Sequence, residues 1–333
     1  MKLSQATTAF IEQRSASKAT ATLRNYNTTL TRLQFIVGDI DITALDVEHV
    51  DRMVASMREQ GLSAGTINNS IGNLSTFCKW ARARGHMSHS QDPISDRDPI
   101  REPPKALVWL PMSQFPHLLD STRDPLDRML IAMGLYTMCR QSEIVNVRLK
   151  DIDLDAGYID VTIFKSGTTD RVPISCELDR ELRRYLKWYQ TELGRPLEED
   201  FYLICGRKPV GFQKMGIDPY SWYKKSEEIV RRSLDRAGFK APDRVGVHFL
   251  RRSAARAAFD ELVKTGYDGA LRQVQTWLHH KHSTQTEHYL GLTLDRDARD
   301  KQVRGRPLFP SLEADNVVPL REVPDGEDVH AAM

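Results

Sequence analysis

The sequence predicts a mainly α protein with a small antiparallel β-sheet. Three observations predict it. The first 88 residues carry four apolar stripes at helical spacing and no alternating run. Residues 157–175 alternate apolar and polar around a Ser-Gly-Thr-Thr turn, the pattern of a β-hairpin. Helical patterns then resume near 177–193, 220–237, 247–264 and 268–279. A length of 333 residues, at roughly 150 per domain, suggests about two domains.

Each element has a local reason. Leu3, Ala6, Phe10 and Ile11 form the first stripe. Leu23, Tyr26, Leu30, Leu33 and Ile36 form the second, which ends at Gly38. Asp46 is placed to cap a helix from Val47 to Gln60 that Gly61 closes. Ser63 is placed to cap the next, whose face carries Ile67, Ile71, Leu74, Cys78 and Ala81. Residues 1–88 therefore read as a small all-α domain. Residues 89–106 hold four prolines and no apolar period, and read as an extended linker. Residues 107–310 form the α+β part, with a strongly apolar helix over 124–138. Residues 311–333 are acidic and read as a flexible tail.

Composition excludes several classes. Hydrophobic residues at 40% and charged residues at 28% exclude a disordered chain. No apolar run approaches the ~18 residues of a membrane span, and the first 15 residues turn polar too early for a secretory signal. Cys78, Cys139, Cys176 and Cys205 lie far apart, without a CxxC pair, which fits a reducing cytosol. Of the net charge of +2, the tail contributes −5, from Arg321 against six acids, so the first 310 residues carry +7. A moderately basic body suits a polyanionic partner.

Four segments carry possible chemistry. Arg140 follows a buried-looking helix and precedes Gln141-Ser142-Glu143; an Arg140–Glu143 pair is the plain reading. Lys165 stands beside the hairpin turn. His248, Arg251 and Arg252 share one helix face, with small residues at 254, 255, 257 and 258 that allow close packing. Such a face suits a bound anion, and spacing does not choose between Arg251 and Arg252. Residues 277–291 bring His279, His280, His282 and His288 close together before and beside Tyr289, but without the acidic or cysteine partners of a familiar zinc pattern.

The order of these segments is informative. LYTMCRQSEIVNVRLKDID, FKSGTTDRVPI, HFLRRSAA and WLHHKHSTQTEHY together resemble the tyrosine recombinase (phage integrase) family. The resemblance implies a helical, SAM-like core-binding domain over 1–88 and a catalytic domain over 107–310. It implies a site-specific recombinase that cleaves DNA through a covalent 3′-phosphotyrosine, for integration or excision of a phage or other mobile element. A Xer-like resolvase, a type IB topoisomerase and a catalytically silent DNA-binding protein on the same scaffold are the alternatives. Tyr289 matches the nucleophile, and Arg140, Lys165, His248, Arg251 and His280 the rest of the catalytic set. Glu143 matches a residue that orients its neighbours, and Asp151 a structural acid. Two positions depart from the pattern: His279 stands where glycine is usual, and Arg252 where histidine is frequent.

The chemistry suits these residue types. Attack on a phosphodiester builds negative charge, which two guanidinium forks and an imidazole can stabilise. A tyrosine with a pKa near 10 is only about 0.1% ionised at pH 7 and needs cations or a base. His248 and His280 are both placed for that role. Lys165 is implied as the acid that protonates the leaving 5′-oxygen. No metal or other cofactor is expected.

The implied partners are a double-stranded DNA core site, clamped between the two domains, and further copies of the chain, four in the synapse. An accessory DNA-bending protein is compatible with this picture, and a membrane is not. Lys18, Arg24, Arg32, Lys79, Arg82 and Arg84 are candidate phosphate contacts. The helical domain starts the chain, which suggests a short recombinase for simple core sites. Residues 292–309 would dock on a neighbouring copy. The expected location is the cytoplasm, at the nucleoid.

Overall fold

The computed structural model describes residues 1–95, 97–101, 107–164, 167–211, 214–240 and 245–292. The chain divides into two compact units, Met1–Ala106 and Leu107–Met333.

The first unit is helical. It contains α1 (Leu3–Ser15), α2 (Thr20–Val37), α3 (Val47–Glu59) and α4 (Ala64–Ala83). The caps follow the sequence. The Asp46 carboxylate accepts the His49 amide, and the Ser63 hydroxyl accepts the Thr66 amide. Gly38 closes α2 at φ 82°, a conformation that costs glycine little. The core is aromatic. Phe10 meets Phe77 edge to face at 5.4 Å and Tyr26 at 5.2 Å, and Phe77 stacks on Trp80. Leu30, Leu33, Met53 and Leu74 complete it.

Residues 89–101 are in part packed on this unit. The Gln91 amide donates to the carbonyls of Thr43 and Leu45. Asn68 exchanges two hydrogen bonds with the backbone of Ile100, and Ile94 and Ile100 lie against the core. Prolines remove backbone donors here, and side chains from the helices supply the fixing contacts.

The second unit is built around α6 (Pro125–Tyr136), preceded by α5 (Phe115–Asp120) and followed by α7 (Gln141–Val145). Nearly all of α6 is buried, and its one buried acid, Asp127, is paired with Arg232. Next come β1 (Ile152–Asp153), β2 (Tyr158–Ile163) and β3 (Thr168–Pro173), an antiparallel sheet in the order β1-β2-β3. Ile159 pairs with Val172 and Val161 with Asp170; Ile159, Val161 and Val172 face the core. This is the hairpin that the alternation predicts.

Then follow α8 (Cys176–Leu193), a second hairpin of β4 (Cys205–Gly211) and β5 (Lys214–Trp222), and α9 (Ser226–Arg236). The second hairpin is not anticipated, and the helix expected over 220–237 begins only at Ser226. Gly206, Pro209, Gly216 and Pro219 interrupt any alternation there, and the register shifts at Cys205/Gly206 and Pro209/Gly211. The unit ends with α10 (Val247–Lys264), α11 (Ala270–Trp277) and α12 (Ser283–Leu290). Helix α10 packs on α6 at Gly134, where an added Cβ would stand 2.8 Å from Leu250 Cδ1. That close approach sets where the next residue, Arg251, emerges.

Candidate active site

Arg140 caps α7 from the residue before it. Its amide donates to Glu143 Oε2 at 2.6 Å, and its Nη1 donates to Glu143 Oε1 at 2.8 Å. The Arg140–Glu143 pairing expected from the sequence is therefore present, and Glu143 is 2% exposed. Glu143 also stands 3.8 Å from Arg251 Nη1, so one buried carboxylate serves two guanidiniums. Neighbouring Cys139 is buried, and burial pushes its thiol up to about 11, which leaves it unreactive at neutral pH.

Arg251 is 1% exposed. Its Nη1 donates to the Met138 carbonyl at 2.6 Å, and its Nη2 donates to the Leu278 carbonyl. Arg140 Nη2 approaches the same Leu278 carbonyl at 3.5 Å. Leu278 ends α11, where the helix dipole favours cations. Burial, and then the charge of Arg140, hold Arg251 below its ordinary value. An arginine still stays charged at any working pH.

The backbone around these carbonyls is unusual. Met138 and His279 are the non-glycine residues with positive φ among those described, at 53° and 49°. Arg251 binds the carbonyl of the first and the carbonyl just before the second. Residues in this region are strained and are held by their surroundings. Here the holding group is Arg251.

Of the two arginines that spacing left open, Arg251 is the one beside Glu143. Arg252 lies with its guanidinium carbon 5.2 Å from the Tyr289 ring centroid. His248 begins α10. Partial desolvation, and then the charges of Arg251, Arg140 and Arg252, hold its imidazole below the ordinary value. At pH 7 it is neutral and can accept a proton.

Tyr289, on α12, donates its hydroxyl to the His248 carbonyl at 3.2 Å. Burial raises its pKa, against the opposing pull of Arg251, Arg252 and Arg140. Its ring meets His280 edge to face at 5.5 Å. His280 Nδ1 lies 3.0 Å from the hydroxyl of Thr286, a fully buried residue that orients the imidazole.

Arg140, Glu143, His248, Arg251, His280 and Tyr289 are thus brought together from three of the four segments that the sequence singles out. Lys165 lies outside the described residues. His279 points elsewhere, with Nε2 2.6 Å from Asp170 Oδ2 on β3. Asp151 accepts the Arg148 amide at 2.8 Å, a structural contact. Among the described residues no three His, Cys, Asp or Glu side chains stand together as a metal site. The sequence reading missed Thr286, the Met138 and Leu278 carbonyls and Asp170. None of them had a signal in the sequence.

In the first unit Lys18, Arg24, Lys79 and Arg84 are exposed and Arg32 is half-buried. Arg82 is engaged within the unit: it donates to the Gln91 carbonyl at 2.7 Å and pairs with Asp92 at 3.3 Å.

Comparison with known proteins places the chain in a family. The model of the phage integrase family matches residues 109–295, and that of the phage integrase N-terminal SAM-like domain matches 8–85. A tyrosine recombinase XerD of Listeria monocytogenes serotype 4b (strain F2365) is 26% identical over 265 residues, 77% of this chain and 81% of that protein. A tyrosine recombinase XerA of Thermococcus kodakarensis is 26% identical over 290 residues, 85% of this chain and 90% of its own length. Among solved structures, the Tn1549 transposon integrase in complex with transposon right end DNA superposes with a TM-score of 0.66 at 18% identity, covering 91% of this chain and 99% of that one. A lambda integrase dimer bound to a COC′ core site gives 0.64 at 18% identity, covering 87% and 95%. The class is that of the DNA strand transferases with a tyrosine at their centre. The chain belongs to the phage integrase family. None of the helices, among the described residues, is long and apolar enough to cross a membrane.

Proposed function

We propose that the protein is a site-specific recombinase that cuts and rejoins duplex DNA through a covalent 3′-phosphotyrosine on Tyr289. One observation carries the reading: the Tyr289 hydroxyl lies against the first turn of the helix that presents His248 and Arg251, beside the shared Glu143 and Arg140.

The roles follow from the chemistry. Tyr289 Oη attacks phosphorus, and the bond from phosphorus to the 5′-oxygen breaks. Arg140 and Arg251, with His280, stabilise the charge that builds on the nonbridging oxygens. His248, neutral at pH 7, takes the phenolic proton. Lys165, in the sequence between β2 and β3, gives a proton to the departing oxygen. Glu143 orients the two arginines. The reverse attack, by the 5′-hydroxyl of another strand, needs no nucleotide or metal because the phosphotyrosine conserves the bond.

The resting tyrosine is bonded to a backbone carbonyl and its pKa is raised. A bound phosphate draws the arginines and the phenol together, so the hydroxyl exchanges the carbonyl for His248 only with DNA in place. The partners are a duplex core site and further copies of the chain. Lambda integrase has been solved as a tetramer bound to a Holliday junction, which supports a four-copy synapse here.

The biological setting is integration or excision of a phage or other mobile element, as the transposon and phage integrases among the fold neighbours suggest. The XerD and XerA relatives favour a second reading, resolution of replicon multimers by the same chemistry. The test of the reaction is a nicked suicide duplex carrying the core site from flanking DNA. A covalent adduct made without metal or nucleotide, and absent with Tyr289→Phe, is the expected result. An adduct that persists in Tyr289→Phe would overturn the nucleophile.

A further inference from the structure

His279 has no part in the roles above, yet it is held in a costly way. Its φ of 49° is a conformation that glycine adopts freely and side-chain-bearing residues rarely do. Its Nδ1 is buried without a hydrogen-bond partner. Its Nε2 reaches Asp170 Oδ2 at 2.6 Å, and Asp170 lies on β3 opposite Val161 of β2. The Asp170 side chain is 48% exposed. A pair whose carboxylate is half open to solvent adds little stability, so stability alone does not account for a left-handed histidine with an unmet nitrogen. Strain of this kind is kept where geometry matters.

The geometry around His279 shows what is being held. Leu278, just before it, offers its carbonyl to Arg140 and Arg251. His280, just after it, is oriented by Thr286 and lies edge-on to Tyr289. Three successive residues thus join the arginines, the sheet and the tyrosine helix. We propose that His279 and Asp170 are a pair of positioning residues that fix the β2–β3 hairpin, whose connecting sequence holds Lys165, against the segment that carries His280. This rests on the strand-cleavage reading and deepens it. His279 acts through Lys165 on the leaving group and touches no reacting atom.

The leaving group gives the test. An oxygen at the 5′ bridging position leaves as an alkoxide and needs the acid's proton. Sulfur at the same position leaves as a thiolate, a far weaker base than an alkoxide, and needs no proton. The experiment compares adduct formation by the full-length protein on nicked suicide duplexes with bridging oxygen or bridging sulfur. His279→Gly keeps the left-handed backbone and removes only the ring; Asp170→Ala removes the acceptor at a half-exposed strand position. Each variant is expected to cleave the oxygen duplex about tenfold more slowly. On the sulfur duplex each is expected to stay within about twofold of the parent. The double variant matches the slower single, because both break one contact. Equal slowing on both duplexes, or parental rates on oxygen, would overturn the pairing. An unaltered protein that forms no adduct on either duplex would overturn the cleavage reading, and the pairing with it. Asp170→Ala carries the test if His279→Gly does not fold.

Discussion

Arg251 is asked to do two things at once. It holds two backbone carbonyls beside strained residues, and in the proposed reaction it would also bind the phosphate. A lysine would keep the charge but cannot fork between two carbonyls. Arg251→Lys is therefore expected to lower cleavage by about 10²-fold or more. It should also lower the melting temperature, because Met138 and Leu278 lose a donor; thermal unfolding and adduct yield, measured on the same preparation, check both. His248 gives a prediction in pH. Its folded pKa lies below the ordinary value near 6.5, so the unfolded chain binds its proton first as pH falls. The stability it contributes is complete above the unfolded pKa and is lost as pH falls from there toward the folded pKa. His248→Gln should remove that acid-side loss: its melting temperature should fall less than the parent's between pH 7.5 and 5.5. At this scale the sequence showed residue types and order, and these marked Arg140, His248, Arg251, His280 and Tyr289. It could not show Thr286 or the two carbonyls. A hydroxyl six residues from its histidine follows no helical period, and a carbonyl has no letter of its own.

Among the elements, the packing of α6 on α10 matters most. Gly134 lets Leu250 approach, and Leu250 precedes Arg251 in the chain. Gly134→Ala places a methyl 2.8 Å from Leu250 Cδ1, an overpacking that costs about 1–3 kcal/mol. Its cleavage should fall beyond what the reduced stability explains, since Arg251 moves with α10. Adding Leu250→Ala should recover part of the activity, and a double-mutant cycle on adduct rate would show it. Elements were legible where one physical signal dominated. The capped helices α3 and α4 and the β2–β3 hairpin each had a cap, a stripe or an alternation. The β4–β5 hairpin had none, because its glycines and prolines erase the period of two that a strand shows. Gly206 lies directly against Ser221, so what pairs these strands is the absence of a side chain.

At the scale of the whole molecule the question is charge. The first 310 residues carry +7, and the helical unit displays Lys18, Arg24, Lys79 and Arg84 to solvent. If these reach DNA phosphates, binding weakens linearly in the logarithm of salt. Replacing each by alanine should flatten that slope by about 0.9 for every phosphate the side chain neutralises. Arg82→Ala should behave differently: it frees the Gln91–Asp92 segment, lowering the melting temperature of the helical unit while leaving the slope nearly unchanged. Titrations from low to moderate salt, beside thermal melts, separate the two classes. The proline-rich stretch illustrates why the sequence reading was incomplete here. Composition said that residues 89–101 could not be a helix or a strand. Only the partners, Asn68 and the carbonyls of Thr43 and Leu45, decide that part of the stretch is held.

The double duty of Arg251 bears on how such a protein can lose its activity over generations. The Tyr289 ring meets His280 and the Arg252 guanidinium and packs on Val274, Leu278 and Leu290, and phenylalanine keeps that ring while losing the hydroxyl. Arg251 is buried and ties two separate loops to one helix. A lineage drifting toward a DNA-binding protein without cleavage can discard the tyrosine hydroxyl and keep its shape. Discarding the arginine would endanger the shape first. Descendants that bind without cutting should therefore retain the arginine long after the tyrosine has gone, and the arginine alone is a poor marker of an active enzyme.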